Sequence, residues 1–270
     1  RILRFAVPTF SSRCPGRSVL PKVGEVAWQL RDDREGDRAL TMRVLGLDAS
    51  GPTLSVGCIA DQDVLADLYW KHPRTAGSHL VAWVEMVVRE FGRPDGIVVG
   101  LGPGSFTGVR IALSAAKALA FAWKLPLVGV SSLQAWAYSV SGYQGTVFVS
   151  SEKRGLAFYA GLYFIGRNPL PEVIIPEWAV NGTLPDRFPL TESVAVLGPL
   201  ASEPSEMLRV SVKPHALTCP ILGSRVAFLG QSRLQLGQVD DPMTLAPVYI
   251  RPPAISTPRG RIRPDGKGRQ

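Results

Sequence analysis

Side chains that hold transition metals are scarce in this 270-residue sequence, which has three cysteines and three histidines. Cys14, Cys58 and Cys219 form no CxxC pair, and His72, His79 and His215 show no ligand spacing. Neither a zinc site nor a disulfide framework is expected, and a reducing, cytoplasmic setting fits. No apolar run reaches the ~18 residues of a membrane helix, and residues 1–41 lack the apolar core of a signal peptide. Charge is thin as well, at 19% against 46% hydrophobic, which leaves ample apolar material for a buried core. The net charge of +8 is unevenly placed. Residues 1–41 hold eight Lys/Arg against five Asp/Glu, and residues 252–270 hold five against one. That leaves 17 against 16 for residues 42–251, a nearly neutral body with basic ends. Such ends read as solvated, disordered extensions, with RNA binding the alternative.

Periodic patterning begins at Met42, the expected natural start. "RVLGLD" (43–48), "TLSVGCIA" (53–60) and "VLADLYW" (64–70) read as three strands, the last two joined by a turn at "DQD". A helix is expected over 79–91, with Ser78 as its N-cap. "IVVGLG" (97–102) has the continuous apolar character of a strand buried on both faces. Next come a glycine loop, a helix over 108–124, a strand at 125–131 and a helix from Ser132. A second round begins at 145–164, with a strand at 194–198 and a helix at 220–237. Tight turns make the first three strands antiparallel, and helical crossovers make the later ones parallel. This order predicts an α/β fold of the actin-like ATPase type: two tandem ribonuclease H-like units, each a mixed sheet with flanking helices. The expected division is an upstream extension (1–41), an N-terminal lobe (42–142), a C-terminal lobe (143–253) and a disordered basic tail (254–270).

The chemistry-bearing candidate is "GLGPGSFTGVRIALSAAKALAFA" (100–122). It fails the Walker A ending, because Val109 follows Gly108, and it fails the nucleophile-elbow spacing around Ser105. The dinucleotide fingerprint places its third glycine at Thr107. What remains is a buried strand, a glycine loop and a helix N-terminus, where free N–H groups attract anions. Gly102, Gly104, Ser105, Thr107, Gly108 and Arg110 are the anion-loop candidates, with Asp48 and Ser50 at the end of the first strand. Two readings stand for each. The glycines either cradle phosphate or only permit a tight crossover, and Asp48 either faces phosphates or caps its own turn. Glu152, Lys153 and Arg154 read as an exposed hairpin turn. No nucleophilic triad can be picked out.

"MRVLGLDASGPTLSVG", "GLGPGSFTGVRIALSAAKALAFAWKLPLVGVSSLQA" and "PVYIRPP" resemble the TsaB (YeaZ) family, bacterial partner proteins of threonylcarbamoyl-adenosine tRNA modification. The resemblance runs from Met42 to about Pro253 and is weaker after Ser150. It departs at "SSEKRG" (150–155), where the family usually has Asp-Ala-Arg. The resemblance implies an actin-like, two-lobed fold. It also implies pairing with the catalytic paralogue TsaD and the ATPase TsaE, with tRNA engaged indirectly through that complex. In TsaD the stretch matching "SSLQAW" carries the two histidines that hold the catalytic metal; here Ser132 and Trp136 stand in their places. Neither side chain replaces imidazole as a transition-metal ligand, so the resemblance implies a non-catalytic subunit without metal or cofactor. The competing reading is an actin-like enzyme in its own right, a phosphotransferase or metallopeptidase.

On helix 108–124 the polar residues Arg110, Ser114 and Lys117 form one narrow stripe and nearly all else is apolar. Helix 79–91 is similarly apolar. Leu80, Trp83, Val84, Val87, Leu113, Lys117 and Phe121 are therefore candidates for an interface with a TsaD-like partner or a second copy of the chain. The alternative is that these helices cover one another within one subunit.

Overall fold

The computed structural model describes residues 41–71, 76–140, 142–151, 157–167, 170–181, 194–198, 215–217 and 219–250. The first unit runs β1 (Arg43–Asp48), β2 (Leu54–Ala60), β3 (Asp63–Trp70), α1 (Ala76–Phe91), β4 (Gly96–Gly100), α2 (Phe106–Trp123), β5 (Leu127–Val130) and α3 (Ser132–Tyr138). Then come β6 (Gly145–Ser150), β7 (Ala157–Ile165), β8 (Glu172–Asn181), β9 (Ala195–Leu197), β10 (His215–Leu217) and α4 (Gly223–Gln235). The turn at 61–62 is closed from both sides: Asp61 N donates to the Met42 carbonyl at 3.1 Å, and Met42 N donates to Asp61 Oδ1 at 3.1 Å. Ser78 lies inside α1 rather than at its cap, because the helix already begins at Ala76. Residues 72–75 and 152–156, and with them the expected turn at Glu152, Lys153 and Arg154, lie outside the described residues, as do 1–40 and 251–270.

The two sheets repeat one topology. The first has the order β3-β2-β1-β4-β5 and the second β8-β7-β6-β9-β10. In each, the first strand pairs antiparallel with the second and parallel with the fourth. The second also pairs antiparallel with the third, and the fourth parallel with the fifth. This is the duplicated actin-like, ribonuclease H-like architecture. The apolar runs of β1 and β4 are buried along nearly their whole length. Leu45, Leu47, Ile97 and Val99 face α1 and α2, whereas Val44 and Val98 join a second core with α3 and α4.

α4 follows the second sheet in the chain but packs on β1, β2 and β4 of the first. The approach is close enough to demand glycine. A methyl on Gly46 would stand 2.0 Å from the Gly223 carbonyl oxygen, and one on Gly223 would stand 2.0 Å from Gly57 N. Asp67 on β3 anchors the helix start, accepting from Ser224 N at 2.8 Å and from Ser224 Oγ. Burial pushes the Asp67 carboxyl up to about 6, against the pull of these hydrogen bonds. After α4 the chain runs beside β5. Asp240 N donates to the Leu127 carbonyl at 2.8 Å, and Asp240 Oδ2 accepts from Gly129 N at 2.8 Å, so the strap covers an otherwise open sheet edge. Arg233 holds the other Asp240 oxygen at 2.9 Å.

Candidate functional site

Asp48 ends β1 with its side chain fully buried. One carboxylate oxygen accepts from Ser50 N at 2.8 Å and Ser50 Oγ at 2.9 Å, and the other accepts from Ser132 Oγ at 2.5 Å. Ser132 Oγ in turn accepts from Gly102 N at 3.0 Å. The carboxylate thus ties its own turn, the start of α3 and the glycine loop together. Burial raises its pKa, with the Ser132 and Ser50 hydrogen bonds opposing that rise. Among the described residues no cation is paired with it, and no group of three or more His, Cys, Asp or Glu side chains could hold a metal ion.

The glycine loop is pressed onto the turn after β1. Ser105 N donates to the Ser50 carbonyl at 2.6 Å. A methyl on Gly104 would stand 2.2 Å from the Ser50 carbonyl oxygen, and one on Gly108 would stand 1.8 Å from that of Ala49. Glycine is required here so that two backbones can meet. Ser105 caps α2, its Oγ accepting from Gly108 N at 3.2 Å. Two of the donors expected to face an anion, the Ser105 and Gly108 amides, therefore already have protein acceptors. Thr107 is exposed.

Arg110 is held in a stack that sequence reasoning missed. Its guanidinium lies 3.8 Å from the Phe106 ring centroid, and its Nε donates to the Tyr249 hydroxyl at 2.8 Å. The two rings stand 5.4 Å apart. Val248 N donates to the Leu101 carbonyl at 2.9 Å, which seats residues 247–250 on the loop. The "PVYIRPP" motif was visible in the sequence, but a contact across 139 residues was not.

Ser132 and Trp136 both carry structural hydrogen bonds. Besides the Ser132 link to Asp48, the Trp136 indole N–H donates to the Cys219 carbonyl at 2.8 Å. Next to them, Ser131 caps α3 and its hydroxyl donates to Glu177 on β8, which also accepts from the Tyr163 hydroxyl at 2.8 Å. Burial and the adjacent Glu177 drive the Tyr163 pKa well above its ordinary value. Gln134 Nε2 reaches the Pro171 carbonyl at 2.8 Å. These bonds join α3 to the second sheet.

Of the seven interface candidates, Leu80, Val84, Val87 and Leu113 are buried in the chain's own core, so these four present nothing to a partner. The physical reason is their spacing, which is that of the sheet-facing side of each helix. Trp83 and Lys117 are half-buried, and Trp83 packs with Trp70 and His79. Phe121 is 85% exposed, and Val81 and Met86 on α1 are exposed as well, although sequence reasoning did not single these two out.

A family model described as TsaD: tRNA N6-adenosine threonylcarbamoyltransferase matches residues 80–171. The tRNA threonylcarbamoyladenosine biosynthesis protein TsaB of Bacillus subtilis is 32% identical over 143 residues, 50% of this chain and 61% of that protein. Its Escherichia coli namesake is 34% identical over 100 residues, 36% of this chain and 43% of that protein. The matched region thus spans less than two thirds of either relative. Among solved structures, YeaZ from Pseudomonas aeruginosa superposes with a TM-score of 0.64 at 25% identity, covering 77% of this chain and 99% of that one. A second, an uncharacterized protein with similarity to peptidase YEAZ from the same organism, gives 0.66 at 25% identity over 78% and 100%. No described helix is long and apolar enough to cross a membrane. The duplicated sheet topology and these likenesses make the chain similar to the TsaB (YeaZ) proteins in fold and in part of its sequence.

Proposed function

We propose that this chain is a non-catalytic partner subunit in the formation of threonylcarbamoyl-adenosine at position 37 of tRNAs that read ANN codons. It pairs with a TsaD-like catalytic paralogue and works with a TsaE-like ATPase in the cytoplasm. One observation carries the reading. The two positions matching the metal-holding histidines of TsaD are Ser132 and Trp136, and both are committed to internal hydrogen bonds, to Asp48 and to the Cys219 carbonyl. The matching corner of the fold is therefore a hydrogen-bonded structural joint. The division into lobes at 42–142 and 143–253 belongs to the same proposal, with α3 as the joint between them.

The surface offered to the partner is the outer side of α1 and α2, around Val81, Met86 and Phe121. Large apolar side chains grouped in water favour burial against a second protein. A second copy of the chain takes the same surface when the TsaD-like partner is missing. The test is co-purification with TsaD and TsaE, then tRNA modification in vitro with and without this chain. Phe121→Glu is expected to stay folded, because Phe121 is exposed, and to lose pairing and modification together. Nucleotide or peptide turnover by the chain alone, at a rate that mutation of Asp48 abolishes, overturns the reading.

A further inference from the structure

We propose that Arg110 is a carboxylate receptor on the partner-docking surface. A helix of the TsaD-like subunit lies along α2, with one Asp or Glu side chain against the Arg110 guanidinium and an apolar side chain against Phe121. The inference rests on the partner-subunit reading above and deepens it, by naming the chemistry that the partner brings. Arg110 is exposed, yet it is held on two sides. Its guanidinium carbon lies 3.8 Å from the Phe106 ring centroid, and its Nε donates to the Tyr249 hydroxyl at 2.8 Å. That leaves Nη1 and Nη2, the pair that grips a carboxylate bidentately, without a partner among the described residues. Lost side-chain freedom is what makes most exposed ion pairs weak, and a side chain already fixed in this way has little left to lose.

The place of Arg110 on α2 decides the kind of partner. The step from Arg110 to Phe121 is about three full helical turns, so the two lie on one row of α2, about 16 Å apart. The exposed residues between them are Ser114 and Ala118, both small, so a second helix can approach closely. α2 contains Arg110 and Lys117 and no acidic residue, and nothing on that helix neutralises the charge. A row with a guanidinium at one end and a phenyl ring at the other matches an amphipathic helix that carries a carboxylate and an apolar side chain about three turns apart. A phosphate strand calls instead for cations repeated along its path. The exposed residues of this row supply only one.

The test is titration calorimetry of the full chain with the TsaD-like subunit of the same organism, with thermal melting of each variant as the folding control. Arg110→Ala is expected to weaken pairing about thirtyfold. Arg110→Lys loses about fivefold, because an ammonium neither stacks nor binds bidentately. Tyr249→Phe keeps the ring but removes the hydroxyl that holds Nε, and should cost about threefold. That cost should vanish in the Arg110→Ala background, which a purely structural role for Tyr249 would not produce. Arg110→Glu should abolish pairing, and lysine in place of one carboxylate on the partner should restore it. If Arg110→Ala melts early, Arg110→Lys and this charge reversal decide. The inference is overturned if Arg110→Ala, or Arg110→Lys in its stead, pairs at unchanged affinity, or if no reversal on the partner restores Arg110→Glu. It is equally overturned if Arg110→Ala pairs normally but loses binding to an unmodified tRNA in fluorescence anisotropy, which would make Arg110 a phosphate receptor. Phe121→Glu keeps the two readings apart. Full pairing by Phe121→Glu defeats the docking surface proposed above, whereas lost pairing by Phe121→Glu beside unchanged pairing by Arg110→Ala defeats this inference alone.

Discussion

Replacing Asp67 with asparagine should stabilise the protein at neutral pH, although Asp67 anchors the start of α4. The folded Asp67 carboxyl is pushed up to about 6 by burial, from an ordinary value of 3.8. The folded chain therefore holds this proton over a pH range in which the unfolded chain has lost it, and stability falls as pH rises through that range. At about 1.4 kcal/mol per pH unit, the interval corresponds to about 3 kcal/mol. Asp67 is only partly covered as a residue, which trims the expected effect to about 1–3 kcal/mol. Asparagine cannot ionise. Its carbonyl still accepts from Ser224 N, and its amide can donate to Ser224 Oγ. Denaturant unfolding at half-unit steps from pH 4.5 to 8 measures the difference between the two proteins. That difference should grow with pH, in favour of the variant, and level off above about pH 6.5. Asp67→Ala serves as the control and should be about 1–3 kcal/mol less stable than Asp67→Asn, because it leaves the buried Ser224 donors unmet. A difference that stays flat across this range, or a wild type more stable than Asp67→Asn at pH 7.5, would refute the reasoning.

Other substitutions probe the remaining joints. Gly46→Ala forces a methyl to within 2.0 Å of the Gly223 carbonyl, so α4 must shift and stability should fall by about 3 kcal/mol; an unchanged melting temperature would contradict this. Asp48→Ala strips the acceptor from two serine hydroxyls and one amide, with an expected loss of about 3 kcal/mol, whereas Asp48→Asn should lose less than half of that in the same unfolding assay. Trp136→Phe removes the bond to the Cys219 carbonyl and should cost about 1–2 kcal/mol by thermal melting. Burial pushes the thiols of Cys58 and Cys219 up to about 12, so in a Cys14→Ser background neither should be labelled by a thiol reagent at pH 7.5 until the protein unfolds.

Local pattern carried the first unit well. β1, β2, α2 and α3 were legible because apolar runs, turn residues and helical spacing act over a few positions. Ser78 misled because a serine after a loop looks like a cap whether or not the helix has already begun. β8 was missed: it carries Pro176, and its exposed Val173, Ile174 and Trp178 give no apolar–polar alternation. The site was less legible than the fold, for one recurring reason. Asp48 is read by Ser132 from 84 positions away, Arg110 by Tyr249 from 139, and Asp67 by Ser224 from 157. Spacing rules see helical turns and strand alternation, and none of these pairs lies within either. The α1 and α2 interface candidates show the same limit from the other side. Their period correctly marks a face, but period alone does not say whether a sheet or a partner covers it.

The return of α4 to the first sheet also sets the order in which the protein can mature during synthesis. Arg43 leaves the ribosome roughly 180 residues ahead of Gly223, a delay of about 10–40 s at ordinary elongation rates. Throughout that interval the face of β1 and β2 that will receive α4 has glycines where other strands have side chains, and nothing of its own to cover it. The N-terminal half is thus born before the element that closes it, and a chain released early, at residue 142, would be a sheet with one side bare. Such a fragment should bind chaperones or aggregate, and a synthetic peptide of residues 219–250 supplied in trans should rescue it. The intact chain should unfold in a single transition, because removing α4 opens the first sheet and the joint to the second at once.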